Sequence, residues 1–132
     1  MKKKILFMLM ILSITLSFFA CSSSSNASAD NSQTGQSYIN DFLDGNYKAM
    51  VDDYNYDSKM QQAISEDFLQ QTADALYAQV GQVKSRGQVQ TRDQSGYNII
   101  YEVVSFDAMD LTLNVTFDAE GLIAGFTITP VE

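Results

Sequence analysis

The chain has 132 residues, with 8 Lys and Arg against 16 Asp and Glu, no histidine and a single cysteine. That length leaves room for one small domain with a modest core, and its acidity repels phosphate backbones, so nucleic acid is excluded as an expected partner. With no histidine and one thiol, Ser-His-Asp and Cys-His catalysis and zinc held by nitrogen or sulfur are excluded, and no intramolecular disulfide can form.

Lys2, Lys3 and Lys4 precede an uninterrupted run from Ile5 to Phe19 in which nothing is more polar than Ser or Thr. The run has the length of a signal-peptide core and is shorter than the roughly 18 to 20 apolar residues of a spanning helix. Its end, Ser17-Phe18-Phe19-Ala20-Cys21, resembles the lipobox of bacterial lipoproteins, in which a small residue precedes the cysteine that receives diacylglycerol. Phe18 stands where that family usually has leucine. The resemblance implies a signal peptide over residues 1–20, cleavage between Ala20 and Cys21, and diacylation of Cys21. It also implies an extracytoplasmic, lipid-anchored place in the cell envelope, with the bilayer as a partner. Two acyl chains suffice for stable anchoring where one does not. Cleavage removes three lysines, leaving five basic side chains against 16 acidic ones, a mature side-chain charge of −11.

Residues 22–36 are rich in Ser, with Asn, Gln, Thr, Gly and no aliphatic side chain larger than Ala. Such a composition buries too little apolar surface to offset its ordering entropy, so residues 21–36 are expected to be a flexible tether. The folded domain is placed at residues 37–132.

Within it, Tyr38, Ile39, Phe42 and Leu43 recur at helical spacing behind Ser37, a candidate N-cap, and Asp44-Gly45-Asn46 supplies a stop and a new cap. Tyr47, Met50, Val51 and Tyr54 repeat the stripe in a second helix. Met60 and Ile64 suggest a short turn, and a third helix is expected from Ser65 to Gly81. The period then changes to two. Val83 to Thr91 is a weak, polar strand, and Tyr97 to Phe106 is a strong one. Leu111, Leu113, Val115 and Phe117 alternate with Thr112, Asn114 and Thr116, the pattern of a strand with one packed and one wet face. A turn at Asp118-Ala119-Glu120-Gly121 leads to a last strand, Leu122 to Thr129, before Pro130. Helices followed by strands read as an α+β fold of about three helices on an antiparallel sheet of about four strands.

Three segments carry a closer resemblance: Asp41-Phe42-Leu43-Asp44-Gly45-Asn46-Tyr47, Val80-Gly81-Gln82-Val83-Lys84-Ser85 and Glu120-Gly121-Leu122-Ile123-Ala124-Gly125-Phe126. They resemble the bacterial family called domain of unknown function 3887, over roughly residues 38–130. The order of elements is similar to the nuclear transport factor 2-like, cystatin-like fold, in which a curved sheet wraps helices into a cone. These motifs are turns and packing positions and carry no chemistry. Ketosteroid isomerase shares that fold and uses a cavity aspartate with a tyrosine. Tyr38 stands in a comparable place, but Met60-Gln61-Gln62-Ala63 supplies no base, so Tyr38 is read as core.

Asp53-Tyr54-Asn55-Tyr56-Asp57 opens like a calcium loop, yet Ser58 replaces the turn glycine and Ile64 the bidentate glutamate, so a polar helix-terminating loop is expected. Asp107 and Asp110 are expected to be turn residues. No catalytic, metal or cofactor site is implied. Tyr38, Tyr54 and Tyr101 are the candidates for lining an internal cavity of the cone. The expected role is a non-catalytic binding or interaction module with an unknown envelope protein as partner. The alternatives are a carrier or enzyme for a small apolar ligand and an accessory domain to an envelope hydrolase.

Overall fold

The computed structural model describes residues 24–131. Its first helix, α1 (Ser24–Asp44), takes in most of the serine-rich stretch expected to be a tether, and Ser37 lies inside it rather than at its cap. Ser, Asn and Gly are poor helix formers, and at Asn31 and Gly35 contact with the sheet supports the helix. Asn31 is buried and its Nδ2 donates to Asn98 Oδ1 at 3.1 Å. Gly35 lies so close to the sheet that a Cβ there would fall 2.7 Å from the Ile100 side chain. A reading based on large apolar residues misses packing in which the small residue itself makes the contact.

Gly45, at φ +83°, ends α1, and the Asn46 amide bonds the Asp41 carbonyl at 2.8 Å. Asn46 precedes α2 (Tyr47–Asp52), but its side chain caps no helix amide and donates instead to Asp41 Oδ1. The short turn expected around Met60 is a helix, α3 (Ser58–Ala63), with Asp57 Oδ1 accepting from the Met60 amide at 2.9 Å. Ser65 caps α4 (Glu66–Val80) by accepting from the Phe68 amide, and Glu66 and Asp67 stand at its positive end. The described residues thus hold four helices, one more than the stripes suggested.

Five strands follow: β1 (Val83–Arg86), β2 (Gln90–Gln94), β3 (Tyr97–Phe106), β4 (Asp110–Phe117) and β5 (Ile123–Pro130). The single polar strand expected over Val83 to Thr91 is two, interrupted at Gly87, whose amide bonds the Val103 carbonyl at 2.8 Å. The sheet is antiparallel in the order β1-β3-β4-β5, with β2 also paired to β3. Ser95 and Gly96 have φ +53° and +87°, and this two-residue turn matches the twist of the β2–β3 hairpin.

Register assigns the faces. Glu102 pairs with Leu113, Val104 with Leu111 and Ile100 with Val115, so these side chains share the face covered by the helices. Leu111, Leu113, Val115 and Phe117 are all buried there, as the alternation predicted. The opposite face is drier than expected. Asn114 is buried rather than exposed, with Nδ2 near the Thr127 carbonyl and Thr129 Oγ1, while Thr112 and Thr116 are half-buried. A strand flanked on both sides by long neighbours loses solvent even on its polar face. The molecule is an α+β fold of four helices packed against one open antiparallel sheet.

Candidate ligand-binding site

Among the proposed cavity tyrosines, Tyr38 and Tyr54 meet edge to face with ring centroids 5.0 Å apart. Tyr101 does not join them. It follows buried Ile100 and precedes buried Glu102, so alternation turns it to the other sheet face, where the Arg92 guanidinium stands 5.0 Å over its ring. The Tyr38 ring also packs against Tyr56 and Phe126.

The Tyr38 and Tyr56 hydroxyls lie 3.1 Å apart, and Tyr56 also bonds the Met50 carbonyl. Burial pushes the Tyr56 phenol up to about 12 and raises Tyr38 further, helped by its bond to Tyr56. Tyr54 is raised by burial and by donating to Asp41 Oδ2 at 2.8 Å. Neutral phenols with satisfied hydroxyls form a structural network and offer no base.

One acidic residue escaped the sequence reading. Glu102 is 1% exposed on the helix-covered face, and its two oxygens accept from Arg86 Nε at 2.6 Å and Nη2 at 2.8 Å. Arg86 Nη2 also donates to Asn40 Oδ1, tying β1 and β3 to α1. This bond to Glu102 raises the guanidinium pKa. A carboxylate held in a two-bond fork is committed to the fold, and neither pocket described below is lined by it.

Asp57 caps α3, and the Asn55 carbonyl and Asp57 amide hold Ile123 at the start of β5. The Asp57 carboxylate is thus taken up by starting α3, and the Asn55 carbonyl by β5. Asp107 Oδ2 accepts from the Gln82 amide, locking the β3–β4 turn onto the junction of α4 and β1.

Two concavities stand out among the described residues. The first, of about 430 Å³, opens between α1, the loop after α2 and the β4–β5 turn, and includes Tyr54 in a mostly polar lining. The second, of about 400 Å³, lies between α3, α4 and β5. Met60, Ala63 and Ile64 form one wall, Phe68, Leu69 and Thr72 another, and Phe126 and Ile128 the third. Its only polar side chain is Thr72, whose hydroxyl is already bonded to the Phe68 carbonyl at 2.8 Å. The Phe68 side chain stands at the rim, 53% exposed.

A family profile matches residues 36–126, the span from late α1 to mid β5. The chain belongs to this family, Protein of unknown function (DUF3887). No curated protein and no solved structure matches it. In this DUF3887 domain the three segments noted in the sequence are the α1–α2 break, the α4–β1 junction and the turn into β5, which fix the helices against the sheet. Ala20 and Cys21, the expected processing and lipidation residues, lie outside the described residues.

Sequence reasoning missed the apolar pocket of the DUF3887 domain because its residues carry the signal of a core. Met60 and Ile64 are one helical turn apart, as are Phe68 and Thr72, and Phe126 and Ile128 alternate along a strand. Only the arrangement in space shows that these faces leave a gap between them.

Proposed function

We propose that this DUF3887 protein is a lipid-anchored, extracytoplasmic binding module that takes a small apolar molecule into the pocket between α3, α4 and β5. The observation that carries the reading is that lining: seven apolar side chains and one hydroxyl already satisfied within its own helix. The volume falls in the range of small-molecule sites, which are concave and mostly apolar.

Transfer of apolar surface from water supplies the affinity, at about 25 cal/mol per Å² buried. The lining carries no titratable group, so the site holds its ligand and does no acid-base work on it. A protein partner would be favoured by a broad exposed apolar patch. Instead, the large exposed apolar side chains among the described residues are Phe68, Tyr97, Met109 and Val131, which stand on separate elements. The lipid anchor rests on the Ala20-Cys21 lipobox, and an anchored carrier suits ligands that partition into membranes.

The test is uptake of the uncharged dye Nile red by the mature chain carrying Cys21→Ser, which stays in solution and keeps every described element. The dye should brighten and saturate at one site, and Phe68→Ala should weaken it without lowering stability. Absence of saturable uptake, or equal uptake by both proteins, would reject the pocket as the binding element.

A further inference from the structure

The polar concavity is a second site of different chemistry, separate from the apolar pocket and meeting the tyrosine network only at Tyr54. Three separate segments build it. Thr34 and Ser37 come from α1, Asp53 and Asn55 from the loop after α2, and Phe117 and Ile123 form apolar parts of its wall. The loop is pinned to β5 by two bonds: Ile123 donates to the Asn55 carbonyl at 2.9 Å and accepts from the Asp57 amide at 3.0 Å. Tyr54, also in the wall, is fixed by its bond to Asp41. A site whose walls are pinned before a ligand arrives loses less entropy on binding.

The chemistry of the wall selects the ligand. Gln33 and Asn55 amides and Thr34 and Ser37 hydroxyls can each donate or accept. Asp53 only accepts, and the Tyr54 proton is committed to Asp41, which leaves that phenol no proton to donate to a ligand. Acceptors therefore outnumber donors. No Lys or Arg lines the concavity, and the mature chain carries five basic side chains against 16 acidic ones. Anions are repelled and cations are drawn in. Buried Phe117 and Ile123 supply a small apolar surface for carbon-bound hydrogens.

We propose that this concavity binds a protonated amine carried on a hydroxylated scaffold, such as an amino sugar, with the Asp53 carboxylate receiving the ammonium and the Thr34, Ser37 and Asn55 side chains receiving hydroxyls. The site is independent of the apolar pocket, since the two share no lining residue.

The experiment is a titration of the mature Cys21→Ser chain, labelled with nitrogen-15, with glucosamine, and in parallel with N-acetylglucosamine, which keeps the hydroxyls and lacks the charge. Glucosamine should shift the amides of Ser37, Tyr54, Asn55 and Gly121 saturably, and N-acetylglucosamine should bind at least about fivefold more weakly, the size expected for one partly exposed charge pair. Asp53→Asn should weaken glucosamine by a similar factor while leaving the rest of the spectrum in place, and added salt should act in the same direction. Ser37→Ala, a change on the exposed face of α1, checks the hydroxyl contacts and should weaken both sugars alike. Unchanged spectra with glucosamine, equal binding of the two sugars, or undiminished binding by Asp53→Asn would each overturn the proposal. Nile red uptake in the same sample reports on the apolar pocket alone, so failure of one site is distinguishable from failure of the other.

Discussion

Replacing Arg86 with Met should cost the domain about 3 to 4 kcal/mol. The substitution keeps much of the aliphatic stem but strands the Glu102 carboxylate, 1% exposed, without either of its charge-assisted bonds. Breaking a buried pair from one side typically costs about 3 to 5 kcal/mol. Because the Arg86 side chain is 33% exposed, water reaches that end of the pair, and the lower part of the range applies. Loss of the partly exposed bond to Asn40 adds about 0.5 to 1 kcal/mol. Against a total stability of about 5 to 15 kcal/mol, this is a large fraction. Urea melts of the mature Cys21→Ser chain would read it as a lower midpoint at unchanged slope. The double change Arg86→Met with Glu102→Leu should recover most of the loss, because two apolar groups leave no charge to solvate. A loss below about 1 kcal/mol for Arg86→Met would put the pair in the class of exposed ion pairs and refute the assignment of Glu102 to the interior.

Three further outcomes can be measured, two drawn from the geometry and one from the Ala20-Cys21 lipobox. Phe117→Ala, at a side chain 1% exposed, should cost about 3 to 5 kcal/mol, whereas Thr116→Ala on the opposite face should cost less than about 1 kcal/mol by the same melts; equal losses would mean that the two faces are equally packed. The Tyr56 phenol is raised from 10.0 to about 12, so its contribution is complete below pH 10 and is lost as pH rises from there towards 12, the unfolded phenol ionising first. Stability followed through that window should fall in the parent and fall less in Tyr56→Phe. Mass spectrometry of the native protein should find diacylglycerol on Cys21 at the mature N-terminus, and an unmodified terminus elsewhere would remove the anchor from the account.

How far the sequence carries depends on which physical signal each element uses. The β4 alternation from Leu111 to Phe117 was legible because one face is apolar and the other is Thr and Asn. In β3 the two faces read Asn98-Ile100-Glu102-Val104-Phe106 and Tyr97-Ile99-Tyr101-Val103-Ser105, both largely apolar. Periodicity cannot then say that Glu102 points inward or that Tyr101 points away, and only pairing with β4 decides it. The first half of α1 was illegible for another reason: Asn31 and Gly35 pack through a hydrogen bond and through closeness, not through bulk. The caps at Ser65 and Gly81 were legible because they are local. The apolar pocket was not, since a gap between well-formed apolar faces leaves no mark in the order of residues.

Methyl-detected NMR of the mature Cys21→Ser chain during a Nile red titration tests the apolar site most directly. The methyl signals of Met60, Ile64, Leu69 and Ile128, contributed by three elements to one lining, should move together and saturate at one equivalent, while Val104 on β3 and Leu111 on β4 stay in place. Shifts spread over the surface, shifts confined to other residues, or none at all would contradict the account.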